Sequence, residues 1–96
     1  MNPPYAAPLM PYVIAVYDVS TDRVAKALKL FRRYLAWVQN SVFEGELTKA
    51  QLAELEAEAR ALLEEGDAVI VYEMRTTAYM ERRTIGTERA PTGPFV

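Results

Sequence analysis

The prolines divide this chain. Pro3, Pro4, Pro8, Pro11, Pro91 and Pro94 are all it has, so residues 12–90 contain none. Proline carries no amide hydrogen and clashes inside helices and central strands, so regular structure is expected only between the two clusters. The expected organisation is a Pro-rich N-terminal extension (1–11), one packed domain (12–88) and a C-terminal tail (89–96). A chain of 96 residues has room for a single core. No internal repeat is visible.

Within that window the apolar residues set the elements. Residues 12–18 (YVIAVYD) form a β-branched and aromatic run, as expected of a central strand buried on both faces. Ser20, Thr21 or Asp22 is placed to cap the next helix. Val24, Leu28, Phe31 and Leu35 then recur at helical spacing, with Lys26, Lys29, Arg32 and Arg33 on the opposite side. Residues 36–45 have strand character, as two short strands or one strand bent near Asn40. Thr48 and Gln51 have the spacing of a capping box, opening a helix that buries Leu52, Leu55, Ala59, Leu62 and Leu63. Gly66 follows it as a helix-ending residue. Residues 68–74 read as a second fully buried strand, and 80–87 as a final polar one interrupted by Gly86. The order β-α-β-β-α-β is that of a ferredoxin-like α+β fold with an extra C-terminal strand.

Composition limits the chemistry. The chain has neither cysteine nor histidine, which removes thiolate metal sites, disulfides and imidazole bases. Carboxylates remain, and they suit hard cations such as Mg²⁺ or Mn²⁺. Net charge is −2, but residues 21–35 carry five basic groups against Asp22 alone, and 44–67 carry eight acids against Lys49 and Arg60. This split fits either one basic face on an acidic body or two solvated helix faces. The N-terminal stretch lacks a basic start and a long apolar run, so a secretory signal is not expected. No segment approaches the ~20 apolar residues of a membrane span, and a cytoplasmic protein is expected.

Asp18 ends the most buried strand just before a helix, where α/β architectures tend to place ligands. It can cap the following turn or bind a cation. One carboxylate is too few for catalysis, and a two-fold dimer placing both copies of Asp18 near its axis supplies the second. Asp22, Glu44 and Glu46 fit better as cap and surface charges. Lys26, Lys29, Arg33 and the other basic groups of the first helix could hold phosphates. Tyr17, Trp37 and Phe43 could stack on bases, although core packing also accounts for Phe43.

Two segments, YVIAVYDVS at 12–20 and VQNSVFEGELT at 38–48, resemble the motifs of the CRISPR-associated endoribonuclease family, the member numbered two and the small partner of the adaptation integrase. The resemblance covers about residues 12–88. It implies a ferredoxin-like homodimer in which Asp18 binds Mg²⁺ or Mn²⁺ across the interface. It also implies metal-dependent endonuclease activity on single-stranded RNA or duplex DNA, with Tyr17, Arg23 and Phe43 at positions matching motif residues. In the adaptation complex that dimer bridges integrase subunits and holds the DNA to be inserted in spacer acquisition. The terminal strand near 80–87 is similar to the segment that pairs with the partner's sheet. This sequence departs from the family where many members have a basic residue before the V-Q pair and it has Trp37. Its loop after Asp18 is also short and poor in basic groups, so two sources of phosphate contact are missing. The alternative is a non-catalytic dimeric scaffold that binds DNA and the integrase. A toxin-like RNase and a small-ligand regulatory domain fit the middle motif less well.

Overall fold

A computed structural model describes residues 10–88 of the chain. Residues 1–9 of the Pro-rich extension and the tail 89–96 lie outside the described residues. The elements run β1 (Tyr12–Asp18), a single 3-10 turn (Thr21–Arg23), α1 (Val24–Arg32), β2 (Ala36–Gln39), β3 (Val42–Glu46), α2 (Lys49–Leu62) and β4 (Ala68–Met74). The sheet order is β2-β3-β1-β4 and every neighbouring pair is antiparallel. β1 and β2 are therefore separated by β3, which is the split βαβ of the ferredoxin-like fold.

Strand alternation assigns the two faces of the sheet. Val13, Ala15 and Tyr17 of β1, Phe43 of β3 and the half-buried Val69 and Val71 of β4 pack against the helices. From α1 come Ala27, Leu30 and Phe31, and from α2 Leu52, Leu55 and Ala59. Four aromatic rings hold the centre. Tyr17, Phe31 and Phe43 lie 5.3–5.7 Å apart in pairs, and Trp37 stacks on Phe43 at 6.5 Å and 15°.

Several local expectations hold. Thr48 Oγ1 accepts from the Gln51 amide at 3.1 Å, and Gln51 Oε1 accepts from the Thr48 amide at 2.9 Å, completing the capping box. The strand region at 36–45 is two strands, turned at Asn40, whose φ of 40° is left-handed. The Trp37 indole closes that turn by donating to the Asn40 carbonyl at 2.7 Å.

Other expectations are corrected. The buried stripe of α1 is Ala27, Leu30 and Phe31, continued by Leu35; Val24 is 42% exposed and Leu28 half-buried. Small Ala27 faces the sheet, and Phe31 enters the aromatic cluster from that side. No side chain of Ser20, Thr21 or Asp22 caps α1: the Ser20 hydroxyl donates to Asp22, and the chain enters the helix through the 3-10 turn. Leu62 and Leu63 are only half-buried. Neither β1 nor β4 is buried on both faces. The helices cover one side only, leaving Ile14 and Val16 half-buried and Ile70 and Tyr72 54% and 56% exposed on the other. The expected strand at 80–87 does not form. Among the described residues the chain after β4 runs through turns and bends and pairs with neither edge strand, β2 or β4.

That segment is nonetheless anchored. Glu44, on the helix-free face of β3, is 5% exposed, so it is not a surface charge. It accepts from the Tyr12 hydroxyl at 2.6 Å and pairs with Arg82 Nε at 2.5 Å, and Arg82 also holds Glu88. Burial first, and the bond to Glu44 second, push the Tyr12 phenol well above its ordinary pKa. Arg82 thus covers one end of the open face; the other end carries Asp18.

Candidate metal and nucleic-acid site

The last residue of β1 is Asp18, cross-strand from Ala68, with the same face parity as Ile14 and Val16. Its side chain is exposed, and among the described residues no ion pair or side-chain hydrogen bond engages it. It lines a hollow of about 320 Å³ with Tyr17, Val19, Val24, Asn40 and Ser41. At ~30 Å³ per water, that volume accommodates a cation with its hydration shell or a phosphate group. The β2–β3 turn is held beside it by the Tyr17 amide, which donates to the Ser41 carbonyl at 3.2 Å. Asp18, Asn40 and Ser41 give this hollow side-chain oxygens, the donor type a hard cation prefers, beside the apolar Val19 and Val24. Among the described residues no three acidic, histidine or cysteine side chains cluster closely enough to hold a metal. A cation at Asp18 therefore needs further ligands from water, phosphate or a second chain.

The structure separates Asp18 from the residues expected to serve it. Lys26, Lys29 and Arg33 line a groove between α1 and α2 with Leu30, Glu58 and Leu62, and that groove shares no residue with the Asp18 hollow. Arg33 is already paired with Glu58, which also accepts from the Tyr34 hydroxyl. Both contacts, the Tyr34 bond first, lower the Glu58 pKa. Lys26 and Lys29 are exposed and, among the described residues, make no ion pair. Phe43 is 0% and Tyr17 6% exposed, so neither ring presents a face to a base; both belong to the core. Burial raises the Tyr17 pKa. Trp37 keeps a half-buried ring with the Arg32 guanidinium 5.6 Å above it.

Arg23 is likewise committed inside the protein. Its side chain is 13% exposed and forks onto Asp67, with Nε at 2.5 Å from Oδ2 and Nη2 at 3.0 Å from Oδ1. Nη1 reaches Glu64 at 3.1 Å. Asp67, whose side chain is 2% exposed, also accepts the Glu64 amide and the Ser20 amide, each at 3.0 Å. Gly66, at φ 90°, makes the turn that brings Asp67 round. Sequence reading missed Asp67, because its partners lie 44 and 47 residues away. Gly66 does not end α2 as expected, because the helix stops at Leu62; the nearest signal for Asp67 was an acid directly after a turn glycine.

The Arg23 guanidinium, then the Glu64 and Ser20 amides, hold the Asp67 carboxyl far below the usual carboxylate range. A depressed folded pKa gives stability that is present above the unfolded value and lost as pH falls. The melting-temperature advantage of the wild type over Asp67→Asn should therefore stay constant from neutral pH to about 5 and shrink below it. Thermal melts across that range check this; an advantage that grows on acidification contradicts it.

None of the helices among the described residues is long and apolar enough to cross a membrane. Residues 10–82 match the model of the family described as CRISPR associated protein Cas2. The CRISPR-associated endoribonuclease Cas2 of Dictyoglomus turgidum is 51% identical over 79 residues, covering 81% of this chain and 91% of that protein. The protein of the same name from Methanosarcina acetivorans is 42% identical over 86 residues, covering 88% and 99%. A solved structure described as crystal structure of cas2 superposes with a TM-score of 0.77 at 44% identity, over 85% of this chain and 93% of that one. Streptococcus pyogenes Cas2 superposes with a TM-score of 0.68 at 28% identity, over 78% and 99%. With the family pattern matched across the whole folded region and relatives matched nearly end to end, this chain belongs to the CRISPR-associated protein Cas2 family.

Proposed function

We propose that this chain is a metal-dependent endonuclease of the CRISPR system, cutting single-stranded RNA or double-stranded DNA as a homodimer with Asp18 at its centre. The observation that carries this reading is the state of Asp18: an exposed carboxylate, unpaired among the described residues, at the tip of the central strand and lining a hollow beside the β2–β3 turn. The names of the relatives support ribonuclease activity. The donor type supports Mg²⁺ or Mn²⁺, and the shortage of ligands among the described residues of one chain supports a second copy.

The open face of the sheet favours that copy as its occupant. Ile14, Val16, Val42, Ile70 and Tyr72 form an apolar surface without a helix over it. Arg82 covers only the Tyr12–Glu44 end, so the uncovered part is the part that carries Asp18. Two such faces related by a two-fold axis bring identical carboxylates together. A bound divalent cation would supply Lewis acidity at the scissile phosphate. Asp18 would hold it, and the Asn40–Ser41 turn would bound the space left for the phosphate. Lys26 and Lys29, across the helical layer, would serve a longer nucleic acid away from the cut.

The scaffold reading keeps its own support. With Tyr17, Arg23 and Phe43 occupied within the fold, the Asp18 hollow has no basic side chain in its lining. A role in spacer acquisition, in which the dimer holds duplex DNA and the adaptation integrase, requires only the shared face and the basic groove. Metal removal tests the catalytic reading. Purified chain sedimenting as a dimer should cut a labelled single-stranded RNA or a DNA duplex with Mg²⁺ or Mn²⁺ and stop in excess EDTA. Undiminished cleavage in EDTA, or none with either metal, would leave the scaffold.

A further inference from the structure

We propose that Asp67, with Arg23 as its counter-charge, is a positioning residue for Asp18. This inference rests on the reading of Asp18 as the metal-binding carboxylate. Asp18 ends β1 opposite Ala68, the first residue of β4, so backbone pairing stops at the residue whose placement matters most. Asp67 immediately precedes Ala68, and its Oδ1 takes the Ser20 amide two residues beyond Asp18. A side-chain rung thus continues the β1–β4 ladder past its last backbone pair. Arg23 ties the start of the 3-10 turn's exit to the same carboxylate through its fork, and the Glu64 amide fixes that carboxylate from behind.

The arrangement is built rather than incidental. The carboxylate is 2% exposed, accepts four hydrogen bonds and pairs with the Arg23 side chain, itself 13% exposed. Its effect falls on the Val19–Ser20 exit, whose Ser20 amide it holds directly. Loss of the rung frees that exit and, with it, the direction of the Asp18 side chain. Groups that orient a metal ligand from behind typically govern affinity by about 10- to 100-fold.

The test compares Asp67→Asn, which keeps the shape and loses the charge, with Asp18→Asn and with Leu52→Ala. The last lowers the melting temperature from a buried site on α2, away from the loop. Mn²⁺ affinity is read by calorimetry, and exchange of the Ser20 amide by NMR. Asp67→Asn should weaken Mn²⁺ binding about 10- to 100-fold and accelerate Ser20 exchange. Leu52→Ala should leave Mn²⁺ affinity unchanged despite a melting loss at least as large. If Asp67→Asn fails to fold, Arg23→Lys, which keeps the charge without the fork, should show the same pattern. Mn²⁺ binding lost in Asp18→Asn but intact in Asp67→Asn overturns the positioning role alone. Wild-type Mn²⁺ binding in Asp18→Asn overturns the metal reading of Asp18, and the positioning role with it. A loss in Leu52→Ala equal to that in Asp67→Asn reduces Asp67 to ordinary stability and also overturns the proposal.

Discussion

Asp18→Asn should abolish metal-dependent cleavage while leaving the melting temperature and the dimer nearly unchanged. The substitution keeps the side chain's shape and removes its charge. Asp18 is exposed and makes no ion pair or side-chain hydrogen bond among the described residues, so folding loses no contact with it. Surface changes of that kind usually stay within about 0.5 kcal/mol. Cation binding, in contrast, depends on the formal charge, and in a symmetric dimer one substitution removes it from both chains at once. The measurement pairs a cleavage assay in Mg²⁺ with sedimentation and a thermal melt. Full cleavage by the variant would take Asp18 out of the chemistry; a collapsed melt would show that the carboxylate is structural.

A second large effect is expected in the core. Phe43→Ala should cost about 3–5 kcal/mol. The ring is 0% exposed and touches Tyr17, Phe31 and Trp37, so truncation leaves a cavity where β3 meets β1, β2 and α1. Small domains have only about 5–15 kcal/mol in total, so the variant should be partly unfolded at ordinary temperatures. Phe43→Leu, which fills more of the space, should lose less. Chemical denaturation with circular dichroism gives both values. The competing idea, that this ring stacks on a base, makes the reverse prediction: a normal melt with weakened nucleic-acid binding.

The contrast between these two residues shows what the sequence could disclose. The Thr48–Gln51 capping box and a break near Asn40 were legible because their signals are local, whereas the helix end was not: α2 stops at Leu62 and Gly66 serves the following turn. Strand β1 and the motif at 38–48 were legible by pattern, and with them the ferredoxin-like order. The far side of the sheet was not. Ile70 and Tyr72 belong to an unbroken apolar run that looks the same whether its second face meets a helix or lies open. Arg23 and Phe43 carried family expectations of nucleic-acid contact, yet one is held by Asp67 and the other enclosed by rings. The Asp67 contacts, over more than 40 residues, leave no trace in spacing. The terminal strand failed for a related reason. Residues 80–87 have the composition of a strand, but Arg82 pairs with Glu44 on the helix-free face, and the segment does not line up along either edge of the sheet.

The strand order has a consequence for how the molecule comes off the ribosome. β1 is synthesised first, yet one whole side of it is completed by β4, the last strand, through seven residue pairs. Until residue 74 has emerged, the most apolar strand of the protein keeps a bare hydrogen-bonding edge, the feature that invites mispairing between nascent chains. Late completion of the central strand ties a correct fold to a finished polypeptide, so a prematurely terminated product is marked for aggregation or degradation rather than for partial activity.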